Sequence, residues 1–142
     1  MNDLHNNVRT KNVITPAAIG ANATKSGLVI DRQGYGGVEF VASYGSVTTT
    51  GTVVTLVVKE GSVTGTLTSV ADADLLGTEV LASLAAGARV AGTGKEVTKR
   101  VGYKGSKRYV TVDAVQTGVT SVGCISVDAV LHSPNNAPTA NP

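Results

Sequence analysis

Chemistry in a protein starts from clustered histidines, thiols and carboxylates, and this chain offers few of them. Its two histidines, His5 and His132, lie near opposite ends of the sequence. A zinc site draws on clustered His, Cys or carboxylate ligands, and two histidines in or next to the chain's arms do not provide such a cluster. The single cysteine, Cys124, has no CxxC partner. Alternation places it on a face with Ser126 and Asp128, opposite the core face of Ile125 and Val127, but a structural thiol, not a nucleophile, is still the expected reading. Asp72 and Asp74 are spaced like the start of a calcium loop, and Gly77 falls where that loop would turn. The rest of the motif fails: Leu76 stands for the third ligand and Ser83 for the closing Glu. A short helical turn opened by Asp72 and closed by Gly77 is the better reading.

Phosphate and nucleotide motifs fail in the same way. The stretch from Gly87 to Lys95 resembles a phosphate loop only superficially. Arg89 stands where the first Gly belongs, and Glu96 replaces the Ser or Thr that holds magnesium, so a Gly-rich β-turn fits better. Gly34, Gly36 and Gly37 lack the strand-turn-helix context of a dinucleotide fingerprint, and no GxSxG elbow occurs. No residue set suggests an enzyme, a cofactor or a metal.

One local charge feature stands out: Lys95, Lys99, Arg100, Lys104, Lys107 and Arg108, against the single acid Glu96. On a strand, Lys99, Val101 and Tyr103 point one way and Arg100 the other, so the cluster is not a one-sided stripe. Tyr103 and Tyr109 could stack on bases, but a solvated hairpin or a rim facing an acidic protein partner suits the pattern better than nucleic acid. The whole chain carries a net charge of +2, too weak a field to argue for nucleic acid.

The elements that must position these residues are β-strands. The chain has 142 residues, 15% of them charged and 4% aromatic, with 17 Gly and no Trp. That length suits one domain with a real core, and the Val, Thr and Gly content suits strands and turns. With one cysteine no internal disulfide is expected. The first residues do not read as a secretory signal, no apolar run approaches a membrane span, and the Asn22-Ala23-Thr24 sequon carries no weight without export.

β-Type runs recur at Gly27–Arg32, Val38–Ser43, Val53–Glu60, Val63–Thr68, Val97–Tyr103, Tyr109–Val115 and Val122–Leu131. In the second, Val38, Phe40 and Ala42 share one face. Val54, Leu56 and Val58 face away from Val53, Thr55, Val57 and Lys59 in the third. That second, Val/Thr-rich face is either the other side of a sandwich core or a surface that buries against something else. Glu60-Gly61-Ser62 reads as a turn, as do the other Gly-based breaks. The region from Glu79 to Ala86 is compatible with helix by propensity and with strand by alternation, and strand is expected from its surroundings. Short strands with frequent turns point to an all-β antiparallel sandwich or barrel spanning residues 26–132. Residues 1–25 read as an extended N-terminal arm and 133–142 as an extended, proline-bearing tail, either frayed or ordered on a partner. No fixed-period repeat and no linker divides the chain.

Several unusual strings carry a family resemblance. They are Met1 to Asn7, Ile30-Asp31-Arg32-Gln33-Gly34-Tyr35, Glu39-Phe40-Val41, Ala71 to Glu79, Val101 to Val110, and Ala129 to Pro134 with Ala137-Pro138. Together they resemble the small cementing, or decoration, proteins encoded beside major capsid genes in tailed phages and prophages, and most of all those of Bordetella podovirus heads. The resemblance covers nearly the whole chain, least distinctively at Gly45 to Leu67 and Ala82 to Val97. It implies a jelly-roll-like β-sandwich on the outer surface of an assembled capsid. There it would bind the major capsid protein, pair as a homodimer, bridge neighbouring capsomers and stiffen the head, with no role for nucleic acid or membrane.

Contact residues follow from these two lines together. Leu4, Val8 and Val13 in the N-terminal arm, and Pro134 and Pro138 in the tail, are candidates for shell or dimer contact. Arg100, Lys104, Lys107 and Arg108 are candidates for an electrostatic rim. The competing reading is a carbohydrate- or receptor-binding sandwich module, for which only Tyr35, Tyr44, Tyr103 and Tyr109 offer platforms. A jelly-roll enzyme ranks last because it would need metal ligands that the sequence does not cluster.

Overall fold

The computed structural model describes residues 3–47, 49–88, 95–120 and 123–139. The alternating runs form an antiparallel sandwich of two sheets. One sheet contains β1 (Val8–Ile19), β10 (Gly123–Pro134), β4 (Tyr35–Gly45), β8 (Val97–Tyr103) and β7 (Leu75–Leu76), in that spatial order. The other runs β2 (Thr24–Ser26), β9 (Tyr109–Thr117), β5 (Val53–Val63), β6 (Thr66–Ser69), with β3 (Ile30–Asp31) also pairing β9. The chain passes repeatedly from one sheet to the other, an arrangement compatible with a jelly roll.

Period-two alternation places the core as the sequence suggests. Val38, Phe40, Ala42 and Tyr44 on β4 face Val54, Leu56 and Val58 on β5 across the sandwich, joined by Ile125, Val127, Ala129 and Leu131 on β10 and Val110, Val112 and Ala114 on β9. The second face of β5 is the outer one: Thr55 is exposed and Val53 and Val57 are half-buried. Lys99, which interrupts the apolar face of β8, extends its ammonium to the Ser83 carbonyl at 2.7 Å.

Four expectations are corrected. The N-terminal segment is not an arm over 1–25, because β1 pairs with β10 from Val8 to Ile19 and buries Val13, Ile14 and Ile19. Adjacent Val13 and Ile14 both reach the core because the ladder shifts register between Asn12 and Ile14. A second shift between Ile14 and Ala17 accommodates Pro16, which has no N–H to give. The tail likewise begins inside the sheet, where Pro134 pairs with Tyr35. Thr139 then turns back on the N-terminus, donating from N to the Asn6 carbonyl at 2.9 Å and from Oγ1 to the Val8 carbonyl at 2.7 Å.

Third, Gly61-Ser62 is not a turn. β5 continues to Val63 through a register shift, and glycine permits the close approach to β6 there, because a Cβ on Gly61 would collide with the Thr66 carbonyl and the Leu67 side chain. Fourth, Glu79–Ala82 is the single helical turn α1 and not a strand. Side chains decide this. Thr78 caps the Leu81 amide, the Glu79 carboxylate accepts from Val58 N, and Ser83 Oγ accepts from Leu56 N at 2.8 Å. With Val54 N bonded to Leu84 O, these groups cover the open edge of β5 where a strand would otherwise lie. Just before it, the expected turn at Asp72–Asp74 is a short 3-10 turn, but Ala71 is its cap and Asp72 makes no capping bond.

Candidate functional site

The β8–β9 connection, the β3–β4 turn and both ends of the described chain meet at one end of the sandwich. Sequence reasoning missed the residue that organises this end. Arg32 lies just past β3, and its guanidinium donates to the carbonyls of Lys107 at 2.6 Å, Tyr35 at 3.2 Å and Gly36 at 3.3 Å, and also to that of Gly105. It lies over the Tyr103 ring at 5.2 Å. Tyr103 in turn donates to the Glu60 carboxylate and accepts from Lys107 N at 3.0 Å. Gly105 is required for this closeness, because a Cβ there would sit 2.5 Å from the Tyr103 hydroxyl. The only signal in the sequence was the charged pair Asp31-Arg32 directly after a short apolar run, which alone cannot name its partners.

The loop from Lys104 to Arg108 is therefore rigid from within and basic on the outside. Lys104, Lys107 and Arg108 are exposed. Arg108 grips Asp31 through Nε–Oδ1 at 3.0 Å and Nη2–Oδ2 at 2.6 Å, and lies over Tyr109 at 5.0 Å. The guanidinium holds the Asp31 carboxyl well down, to about 2. Acids are near as well: Lys104 N donates to the carbonyl of Asp74. Arg100 does not join this loop. It stands on the outer face of its sheet, 78% exposed, with its Nε 3.6 Å from Glu39.

The remaining candidates divide. Leu4 is 65% exposed in a turn closed by Asn7 N to its carbonyl. Val8 is half-buried with its carbonyl taken by Thr139, Pro134 is half-buried in β10, and Pro138 is exposed beside Thr139. Val13 is 1% exposed, so the bulged strand removes it from the surface and from the contact list. The two ends, taken as separate arms, are fastened to each other next to the basic loop.

The tyrosines offer no open sugar platform. Tyr44 and Tyr103 are buried, and Tyr35 and Tyr109 are half-buried, the latter under Arg108. Burial pushes both core hydroxyls up, that of Tyr103 to about 12 with the Glu60 carboxylate adding to the effect. A tyrosine raised in the folded state stabilises the fold fully below its unfolded value of about 10. That stability is lost as pH climbs from about 10 through about 12. Spectrophotometric titration should therefore show Tyr44 and Tyr103 ionising only as the fold melts, above the usual tyrosine range. Ionisation of Tyr44 and Tyr103 near the ordinary value of about 10 in native protein would contradict this packing.

Among the described residues no three His, Cys, Asp or Glu side chains gather as a metal site. Cys124 is exposed, as alternation suggested. Most of the glycine-rich stretch that superficially resembles a phosphate loop, residues 89–94, lies outside the described residues. No helix among them is long and apolar enough to cross a membrane.

No family model and no curated protein matches this sequence. Among solved structures, the chain is similar to the crystal structure described as PBSX exported protein XepA, with a TM-score of 0.58 and 18% identity. The alignment covers 100% of this chain and 42% of that one, so this chain spans less than half the length of its structural neighbour. The likeness is one of fold.

Proposed function

We propose that this protein is a phage structural protein that docks on the outer surface of an assembled head. There it binds the major capsid protein, cements neighbouring subunits and pairs with a second copy of itself. The observation that carries the reading is the construction of one end of the sandwich. A basic loop held rigid by Arg32 sits beside two chain ends clasped by Thr139, so a cluster of exposed side chains is presented without the cost of ordering the loop backbone at docking. The family resemblance of the sequence supports it, as does a fold shared with a phage protein. Modest contacts suffice in this role, because repetition over a shell multiplies retention.

Co-sedimentation with purified phage shells tests it. The wild-type protein should pellet with shells, and Lys104→Glu with Lys107→Glu should lower the apparent affinity about tenfold while leaving the melting temperature within about 2 °C. The same binding should weaken as salt is raised. A protein that stays in the supernatant at every concentration would remove the cementing reading.

A further inference from the structure

The β1 side of the sandwich carries a second feature that the docking end does not explain. The edge of β1 that faces away from β10 is capped at Val8 by Thr139 and at Val13 by Leu28, whose N donates to the Val13 carbonyl at 2.7 Å. Among the described residues no strand pairs with it between those points. Alongside this window runs a groove of about 810 Å³ lined by Thr10, Asn12, Leu28, Val29, Val41 and Val130, with Lys11, Ile30 and Asp128 also at its walls. Leu28 and Val29 are 61% and 39% exposed. The two buried side-chain polar atoms without a hydrogen-bond partner among the described residues, Arg9 Nε and Asn12 Oδ1, both belong to this stretch of β1. Buried polar groups are ordinarily satisfied, so open backbone, apolar walls and the unmatched Asn12 Oδ1 coincide in the groove, with the unmatched Arg9 Nε three residues before it on the same strand.

The charges select the occupant. Asp31 is held bidentately by Arg108, and Asp128 accepts from Asn12 Nδ2 at 3.0 Å. Arg9, Lys11 and Asp128 have no ion pair among the described residues, so two cations stand against one carboxylate and the edge is net positive. Cations on an edge strand discourage self-pairing. Two β1 edges brought together antiparallel would set Arg9 and Lys11 against their own copies, which like charges oppose. The same cations attract carboxylates.

We propose that this groove receives an extended segment of a partner protein by strand addition, a segment in which acidic residues alternate with aliphatic ones. The backbone pairs with β1 between Arg9 and Asn12. The aliphatic side chains lie on Leu28, Val29 and Val130, and the carboxylates meet Lys11 and Arg9. The partner is a segment of the shell protein, which rests on the cementing reading, whereas the chemistry of the groove does not.

The experiment separates the two. Amide chemical shifts of the full chain are followed on titration with the synthetic peptide (Glu-Val)4 and, in parallel, with (Lys-Val)4. The acidic peptide should shift Thr10, Lys11, Leu28 and Val29, and the basic one should leave them in place. Lys11→Glu should weaken the acidic peptide at least fivefold, and Arg9→Glu added to it should reverse the preference. If the double variant fails to fold, Lys11→Glu alone decides. No shifts, equal shifts with both peptides, shifts mapping elsewhere, or an unmoved affinity in Lys11→Glu would each overturn the groove. Shell co-sedimentation of Leu28→Asp/Lys11→Glu then locates the partner. Wild-type binding lost in this variant supports the shell segment. Retained binding overturns that assignment while cementing stands. Peptide binding to a protein that ignores shells leaves the groove in place, and overturns both cementing and the shell segment as its occupant.

Discussion

Arg32→Met lowers the melting temperature by about 10 °C and loosens the loop from Lys104 to Arg108. The reason is the number of carbonyls that one side chain serves. Its guanidinium accounts for the Gly105, Lys107, Tyr35 and Gly36 oxygens, the first and third of them in part-buried surroundings. Leaving part-buried acceptors unmatched costs about 1–3 kcal/mol each, and loss of the stack on Tyr103 adds to it. A total of about 3 kcal/mol corresponds to that fall in a domain of this size. Arg32→Lys should recover little, because a point ammonium cannot reach a fan of carbonyls that a planar fork spans. Circular dichroism melting measures the first effect, and hydrogen exchange at the Lys107 amide, held now by the Tyr103 hydroxyl, measures the second. A melting temperature within about 2 °C of wild type would mean that the loop is held by its own backbone. Shell binding by a stable Lys variant would then show whether the rigidity of the loop matters to docking.

How much of this was legible in the sequence depends on how far apart the interacting residues lie. Strand faces were readable, because alternation within β4, β9 and β10 is a local signal of which side is dry. The outer position of Val53, Thr55 and Val57 was left open, since period two names two faces without saying which neighbours cover them. β1 was misread because Pro16 and a polar N-terminal half imitate an arm, while the bulges that reconcile them with a buried strand leave no compositional trace. α1 was misread because its alternative, a strand, had the same local support. Its side chains settle the matter by bonding Val58 and Leu56, about twenty or more residues earlier in the chain. The candidate site was half legible: Lys104, Lys107 and Arg108 were found as a charge run, but Arg32 is separated from them by most of the sandwich sequence. Arg9 and Lys11 were passed over for the same reason that β1 was.

Gly27→Ala is expected to be as damaging as the loss of Arg32, and the contrast with another glycine shows why. Gly27 sits where the chain leaves β2 to run along the seam between the sheets. A Cβ there would lie 2.4 Å from the Val112 carbonyl oxygen and 2.7 Å from Val13 Cγ1. The first obstacle is backbone within β9 and the second is a side chain locked in the core, so neither can yield without moving a strand. Overpacking of this kind costs about 3 kcal/mol, or a fall of about 10 °C. Gly45 is superficially worse, with Cys124 Sγ only 2.2 Å from its Cβ position. That thiol, however, ends a side chain on an exposed face and can rotate away. Gly45→Ala should therefore cost under about 1 kcal/mol. Melting curves of the two variants side by side test the distinction between a clash with backbone and a clash with a rotor. Equal falls would mean that the seam yields more readily than its contacts imply. The same substitution reaches function, because Leu28 and Val29 follow Gly27 directly and form the rim of the β1 groove. If Gly27→Ala folds at low temperature but no longer shifts Thr10 and Lys11 with the acidic peptide, then the close approach at Gly27 is what sets the rim against β1.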